Sequence, residues 1–331
     1  MYQTIDGNAT KKNNRYLAIT NAFQPGENSV AEQMRDAWQK IQDGRAADVA
    51  FLYDSIEAHV LTPLTPDALR LVLPRIRGDA VWLPIETIIQ SVLDTTMAPS
   101  RSRRMWLNQV VAEEDALFGP ENWVPLEKPG AVLAPDDAIV AGFDGGLRDD
   151  ATGLVAIRIS DGAAFVLGLW ERPDGPAGDG WEVNRDVVDS AVHDMFRLYD
   201  VKGFYADVAL WESHVSEWAQ TYGDRLAVRS DGRNSVAWDM RQSLKRVTLA
   251  NERLVRAILD GRLHHDGDAR LRRHVLNVGR RTNWHGVSFG KLHNSRKIDL
   301  YAALLLAHEA LRDLRSRGAQ TTARAGVGYF L

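Results

Sequence analysis

Two aspartates stand at places where a carboxylate could do chemistry rather than only face solvent. Asp144 ends the apolar run IVAGF and is followed by two glycines, and Asp207 ends the run GFYA. If these runs are neighbouring strands, the two carboxylates converge at one edge of a sheet. Each residue also has a common structural role, a turn aspartate for Asp144 and a helix N-cap for Asp207.

A third aspartate, Asp299, lies in the helical segment SRKIDLYAALLLAHEAL. At helical spacing it shares a face with Ala303, Leu306 and Ala310, which are small or apolar. Because an isolated buried carboxylate is costly, Asp299 needs a cation nearby. That cation could be an arginine in a buried salt bridge or a metal ion, and the sequence leaves both open.

Carboxylates from two strand ends and one helix could hold two divalent cations through oxygen ligands. Two such ions, about 3.5–4 Å apart, can stabilise the attacking and leaving oxygens of phosphodiester cleavage. Candidate outer residues of the site, for which a solvated surface role is the alternative, are Asp149, Asp150, Glu212 and Lys297.

Other chemistries have weaker support. The chain has no cysteine, which excludes disulfides, thiolate nucleophiles and cysteine-based zinc sites. The sequence gives little support to a zinc hydrolase, because His264, His265 and His293 do not lie in an HExxH sequence. A P-loop requires GK[ST], and no lysine in the chain is followed by Ser or Thr. We therefore expect no ATP hydrolysis from this chain alone.

The elements that would position the three aspartates predict an α/β fold with a mixed sheet flanked by helices. Three strands with short connections (139–143, 153–159 and 163–170) are followed by alternating helix and strand and a closing helix at 297–315. This is the order of a ribonuclease-H-like fold. The first ~115 residues read as mixed α/β, with strands at Tyr16–Thr20 and Val49–Tyr53 and a helix N-capped by Ser100.

The pattern of the chain predicts four segments. Residues 1–117 form a first domain, 118–137 a Pro- and Gly-rich linker, 138–315 the ribonuclease-H-like domain, and 316–331 a loose tail. No apolar run approaches the ~18–20 residues that span a bilayer, and the N-terminus lacks a signal-peptide core. We therefore expect a cytoplasmic protein without a membrane partner.

Charge is unevenly distributed, although the formal net charge is only −4. Residues 131–230 contain 18 acidic and 8 basic residues, whereas residues 231–297 contain 6 acidic and 15 basic residues. The basic stretch could hold a polyanion such as DNA, or it could pair with the acidic stretch. The candidate DNA-binding residues are Arg241, Lys245, Arg256, Arg272, Arg273, Arg280 and Arg281.

Three segments together resemble one family. AGFDGGLRDDATGLVAI, FYADVALWE and RKIDLYAALLLAHEAL resemble the nuclease domain of tailed-phage terminase large subunits, over roughly residues 136–315. The resemblance implies that Asp144, Asp207 and Asp299 bind two Mg²⁺ or Mn²⁺ ions.

The first part of the chain resembles the end of the terminase ATPase domain. On this resemblance, Thr20 and Asn21 belong to a coupling motif that links ATP hydrolysis to movement. The family's Walker A and Walker B segments are missing upstream, so the chain resembles the C-terminal portion of a longer protein. Residues 1–117 would then be a partial ATPase domain with connecting helices.

The resemblance implies a metal-dependent endonuclease that cuts concatemeric double-stranded viral DNA in the host cytoplasm, with a terminase small subunit and a portal protein as partners. One alternative is another ribonuclease-H-like nuclease, such as a Holliday-junction resolvase. The other is a non-catalytic, DNA-clamping part of a packaging motor.

Overall fold

The computed structural model describes residue 11 and residues 15–27, 29–42, 52–59, 61–112, 115–148, 150–173, 178–230, 234–292 and 296–325. The chain forms two compact units, Met1–Glu114 and Asp115–Leu331. Within the described ranges, no helix is both long enough and apolar enough to cross a membrane.

The described part of the first unit is helical. Its helices are α1 (Val30–Gln42), α2 (Pro66–Arg77), α3 (Ile85–Val92) and α4 (Pro99–Trp106). Buried side chains of α2 and α3 pack with Leu107 to form its core. Helix α2, which the sequence analysis did not predict, begins at a proline and ends at Gly78, whose φ of 60° favours glycine.

Three predictions for this unit differ from the structure. Tyr16–Thr20 is not a strand, and its Leu17 and Ile19 are 83% and 89% exposed. An apolar run becomes a stable strand only when it pairs with others and buries a face. The predicted strand at 49–53 lies partly outside the described residues, and Leu52 and Tyr53 are not in a strand. Ser100 lies inside α4 rather than at its N-cap, which is Ala98.

The second unit is built on a five-stranded mixed sheet. Its strands are β1 (Ala138–Gly145), β2 (Thr152–Arg158), β3 (Ala163–Trp170), β4 (Asp200–Ala206) and the short β5 (His264–His265). The strand order is β4-β1-β2-β3-β5; β1, β2 and β3 are antiparallel, and β4 runs parallel to β1. Three antiparallel strands with a parallel fourth strand beside the first are the ribonuclease-H-like order, so the predicted fold class is confirmed.

Helices and a hairpin surround the sheet. They are α5 (Pro120–Trp123), α6 (Arg185–Leu198), α7 (Glu212–Tyr222), α8 (Leu244–Leu259), α9 (Ala269–Leu276), the hairpin β6 (Val278–Asn283) and β7 (Gly286–Lys291), and α10 (Asp299–Ala325). Ile139, Ala141 and Phe143 pack into a core with α6 and α7, whereas Val140 packs with α8 and α10. This alternation places Gly142 and Asp144 on the same face of β1 as Val140, the face that α10 covers.

Three boundaries of this unit differ from those predicted. The segment 118–137 does not separate two units, because Phe118 and Trp123 are buried in the core that α8 and α10 share. The predicted helix at 236–259 starts only at Leu244, after an N-cap at Ser243. The closing helix continues to Ala325, so most of the predicted loose tail is helical, and residues 326–331 lie outside the described residues.

Candidate metal centre

Asp144 and Asp207 lie at the same edge of the sheet. In the parallel pair of β1 and β4, Phe143 is opposite Ala206. Asp144 is the next residue of β1, and Asp207 is the first residue after β4. The backbone N–H of Asp207 donates to the carbonyl oxygen of Phe143 at 2.9 Å. Because side chains alternate along a strand, both carboxylates lie on the face that α10 covers.

Close contact between α10 and the sheet brings Asp299 to this edge. A methyl group on Gly142 would lie 2.0 Å from the carbonyl oxygen of Ala303 and 2.5 Å from the backbone nitrogen of Ala307. Gly153, opposite Asp144 on β2, lies beneath the first turn, where an added methyl would be 3.3 Å from the nitrogen of Leu300. Glycine at both positions therefore lets the helix, and Asp299 at its start, approach the two strand ends.

Burial and mutual repulsion destabilise the charged forms of these aspartates. Burial raises the pKa of Asp144 well above its usual value, and the nearby charges of Asp299 and Asp207 raise it further. Burial also raises the pKa of Asp207, which is 8% exposed, and of Asp299, which is 6% exposed. The three carboxylates thus share one electrostatic environment in which a cation would be strongly favoured.

Asp207 and Asp299 differ in their hydrogen bonds. The Oδ1 atom of Asp207 accepts from the backbone N–H of Met240 at 3.0 Å. The Oδ2 atom of Asp299 is buried and has no hydrogen-bond partner among the described residues. A buried carboxylate oxygen without a donor is costly, so this atom is suited to a ligand.

The predicted outer residues that the structure describes lie on two sides of the three aspartates. Asp150 contacts Lys291, lies 3.7 Å from Nζ of Lys297, and helps to raise the pKa of Asp144. Glu212 begins α7, and its Oε1 is 3.9 Å from Arg241, whose charge lowers the pKa of Asp207. Asp149 lies outside the described residues. Asp150 and Lys297 thus flank Asp144 and Asp299, whereas Glu212 lies on the side of Asp207.

The donor chemistry of the three aspartates fits a hard divalent cation, because all the ligands are carboxylate oxygens and one of them is unpaired. Within the described ranges, no three His, Asp or Glu side chains are arranged to hold a metal ion as they stand. The fold therefore brings the carboxylates to one edge of the sheet without completing a coordination sphere.

The predicted DNA-binding residues divide into three groups. Arg241 hydrogen-bonds to Asp239 at 3.0 Å, and Arg273 contacts Glu171, so both have carboxylate partners from within the chain. Arg272 is half-buried on α9. The exposed remainder are Lys245 and Arg256 on α8 and Arg280 and Arg281 on β6.

Two features of this unit were not predicted from the sequence. The tip of the β6–β7 hairpin carries Trp284, which is 100% exposed, whereas Trp123, Trp211, Trp218 and Trp238 are fully buried. Behind Asp299, the buried His274 connects α10 to Glu171. A turn-like sequence, TNWHG, marks the hairpin, but nothing in the sequence pairs His274 with Glu171, about one hundred residues away.

The residues of the predicted coupling motif lie in the first unit. Thr20 donates to the carbonyl oxygen of Asn21 at 3.1 Å, and Nδ2 of Asn21 lies 3.4 Å from the sulfur of Met105. These contacts do not test a coupling role, which stays a prediction.

Sequence comparison finds relatives in phages, although no family model matches the chain. The chain is 40% identical to the Gene 13 protein of Mycobacterium phage D29 over 352 residues, covering 97% of this chain and 58% of that protein. It is also 40% identical to the Gene 13 protein of Mycobacterium phage L5 over 343 residues, covering 95% of this chain and 57% of that protein. The chain thus spans less than two thirds of the length of these relatives.

Structure comparison finds several solved proteins. The large terminase of bacteriophage HK97 has a TM-score of 0.44 and 16% identity, covering 84% of this chain and 60% of that one. The large terminase nuclease of thermophilic phage G20c with bound magnesium has a TM-score of 0.44 and 12% identity, covering 59% and 97%. The large terminase nuclease domain of Thermus phage P74-26 has a TM-score of 0.41 and 14% identity, covering 58% and 94%.

Proposed function

We propose that this chain, a relative of the mycobacteriophage Gene 13 proteins, contains the nuclease domain of a phage terminase large subunit and cuts double-stranded DNA. The observation that carries the proposal is the convergence of Asp144, Asp207 and Asp299 at one edge of a ribonuclease-H-like sheet, with Oδ2 of Asp299 buried and unpaired. Buried carboxylates that repel one another are costly to the fold, and groups whose pKa values are perturbed in this way cluster at functional sites.

In this proposal the three aspartates hold Mg²⁺ or Mn²⁺, two ions at full occupancy. When bound, such ions activate water and neutralise the leaving oxygen of a phosphodiester. Strand ends β1 and β4 fix Asp144 and Asp207 side by side, and the backbone N–H of Met240 orients the carboxylate of Asp207. Lys291 and Lys297, which contact Asp150, add positive charge beside the site where a phosphate would approach.

Exposed cations on α8 and the hairpin are suited to hold DNA beside this site. The hairpin is fixed to α8 by hydrogen bonds from Asn283 to Thr248 at 2.9 Å and from Asn251 to Val287 at 2.8 Å. Lys245 is one helical turn from Thr248. Arg280 and Arg281 are adjacent on β6 and lie on opposite faces of the hairpin, so one of them extends this surface. The strands of the hairpin are about 20 Å long, the length of about six base pairs. Phosphate contacts of this kind hold any sequence, as a cutter of long concatemers requires.

Trp284, at the tip of the hairpin, extends the proposed DNA surface. A fully exposed indole ring loses favourable burial, so its position is best explained by a partner. The ring could pack against the bases or sugars of nucleic acid.

The proposal also covers ATP and partners. The chain contains no GK[ST] sequence, so we expect no ATP hydrolysis from it alone. Function in packaging would require a terminase small subunit and a portal protein. The interpretation of the first unit as part of an ATPase domain belongs to the same proposal.

The test is cleavage of supercoiled plasmid by the full 331-residue chain with Mn²⁺ or Mg²⁺, compared with EDTA. Asp144→Asn and Asp299→Asn should abolish cutting, and the matched control Asp224→Asn, at a fully exposed carboxylate, should cut normally. Metal-dependent cutting that survives either active-site substitution would refute the site assignment.

Assays with other DNA substrates and with ATP distinguish this proposal from the alternatives. A strong preference for four-way junctions over linear duplex would favour a resolvase. Binding of DNA without cutting under any metal would favour a clamp. ATP turnover by pure protein would contradict the expectation drawn from the missing P-loop.

A further inference from the structure

A buried histidine links the start of α10 to the end of β3. His274 on α9 is fully buried, and its Nδ1 atom lies 3.0 Å from the backbone nitrogen of Leu300, the residue after Asp299. Its Nε2 atom lies 3.1 Å from Oε1 of Glu171, which follows β3 directly. We infer that His274 and Glu171 are positioning residues that fix the carboxylate of Asp299 for metal binding, an inference that rests on the proposed function.

The contacts determine which nitrogen of His274 carries the proton. A backbone N–H can only donate, so Nδ1 must accept from Leu300. The proton of the neutral ring is then on Nε2, from which it is donated to the carboxylate of Glu171. Both ring nitrogens are thereby satisfied inside the core, and the histidine acts as a cap on the first turn of α10, where backbone N–H groups otherwise lack partners.

Glu171 is itself held in place. Arg273, one residue before His274, contacts its Oε2 atom, and both side chains of this pair are about three-quarters buried. Burial would raise the pKa of Glu171, but the hydrogen bond from His274 and the charge of Arg273 lower it to about 2. The carboxylate therefore stays ionised and available as the acceptor. Arg273 is used inside the unit, not on the DNA surface.

Asp299 depends on this arrangement more than its two partners do. Strand pairing fixes the backbone at Asp144 and Asp207, and Asp207 also has the hydrogen bond from Met240. Asp299 lies at a helix end, and its Oδ2 atom has no partner among the described residues. Its direction is thus set by the first turn of α10, which His274 anchors to the edge of the sheet.

The test measures metal binding without DNA, by calorimetric titration of the full chain with Mn²⁺. His274→Leu removes both hydrogen bonds, and we expect it to weaken Mn²⁺ binding about 10–100-fold. His274→Asn keeps an acceptor for the N–H of Leu300 but loses Glu171, and it should recover part of the affinity. Glu171→Gln keeps an acceptor but removes the charge, and it should also weaken binding.

The chain offers a matched control in His265. That ring is also buried, with Nδ1 accepting from the backbone of Gly267 at 3.0 Å and Nε2 at 3.0 Å from the carbonyl oxygen of Trp123. It lies on β5, beside the start of β3, at the opposite end of that strand from Glu171. His265→Asn should lower the melting temperature and leave Mn²⁺ affinity unchanged.

The outcomes distinguish this inference from the proposed function. Wild-type Mn²⁺ affinity in folded His274→Asn and Glu171→Gln proteins, with a wild-type chain that binds metal and cuts DNA, would overturn the inference alone. If the wild-type chain bound no Mn²⁺, the proposed function and the inference would fail together. If His274→Leu does not fold, the other two variants decide the result.

Discussion

Gly142→Ala should damage stability and activity together, because α10 lies on the backbone of β1 at this glycine. The added methyl would lie 2.0 Å from the carbonyl oxygen of Ala303 and 2.5 Å from the nitrogen of Ala307. Both contacts are to helix backbone, which cannot move aside as a flexible side chain can. The helix must therefore shift from the sheet.

The size of the shift follows from these distances. Ordinary van der Waals contact needs about 3.4 Å, so the helix must withdraw by about 1.4 Å at Ala303. Overpacking of this kind costs about 1–3 kcal/mol, and in a unit of this size each kcal/mol lowers the melting temperature by about 2–4 °C. Asp299 is one turn from Ala303 and moves with the helix. Misplacing an active-site group by about 1 Å can reduce the rate about 100-fold.

Thermal denaturation in EDTA and plasmid cleavage with Mn²⁺ measure the two effects separately. The control for stability is Gly290→Ala on β7, where the methyl would lie 3.1 Å from Nε of Arg281, a side-chain atom rather than helix backbone. The control should melt nearly as the wild type does. A Gly142→Ala protein with wild-type melting temperature and cleavage rate would refute the close approach of α10 and the placement of Asp299.

Four other outcomes can be measured on the same protein. Asp299→Asn should raise the melting temperature in EDTA. Burial raises the pKa of Asp299 because it destabilises the charged carboxylate, and the substitution removes that charge. Arg273→Gln, which removes the partner of Glu171, should lower the free energy of unfolding by about 1–3 kcal/mol and leave the salt dependence of DNA binding unchanged. Lys245→Ala should instead reduce the slope of log affinity against log salt by about 0.9 and leave the free energy of unfolding unchanged. Trp284→Ala should weaken DNA binding by about 1 kcal/mol or more with an unchanged salt slope, and unchanged affinity would exclude a role for the ring. Burial lowers the pKa of His308 to about 4, so the unfolded chain takes up a proton below pH ~6.5 that the folded chain does not. Between about pH 6.5 and 4, His308 should therefore reduce the free energy of unfolding by up to ~1.4 kcal/mol per pH unit, and urea denaturation of the wild type and of His308→Gln should differ by this contribution.

Local patterns were sufficient for the central strands and the candidate ligands. Each of β1 and β4 is a short apolar run that ends at or next to an aspartate, so the sequence predicted that Asp144 and Asp207 meet if the two strands are neighbours, and the parallel pair places them so. The apolar segment after Asp299 is long enough to be recognised as a helix. These features depend on residues close in sequence, which is why periodicity and turn chemistry reveal them.

Those local patterns could not predict contacts between residues that are far apart in sequence. Arg273 was a candidate DNA ligand until the fold placed Glu171 against it, and Leu17 was predicted to be in a strand although no strand among the described residues pairs with it. The charge and hydrophobicity of a residue indicate what kind of partner it requires, but not which residue that partner is. In both cases the partner decides the role.

The sequence by itself indicated the order of the four central strands and the closing helix of the second unit, the three candidate aspartates, and the absence of a GK[ST] sequence from this chain. Only the tertiary structure decided that Gly142 lets α10 reach the sheet, that His274 fixes the helix start beside Asp299, and that Trp284 stands alone at a hairpin tip. The physical reason is that secondary structure and ligand chemistry are properties of neighbouring residues. Burial, ion pairing and close approach are properties of residues that chain folding brings together from far apart.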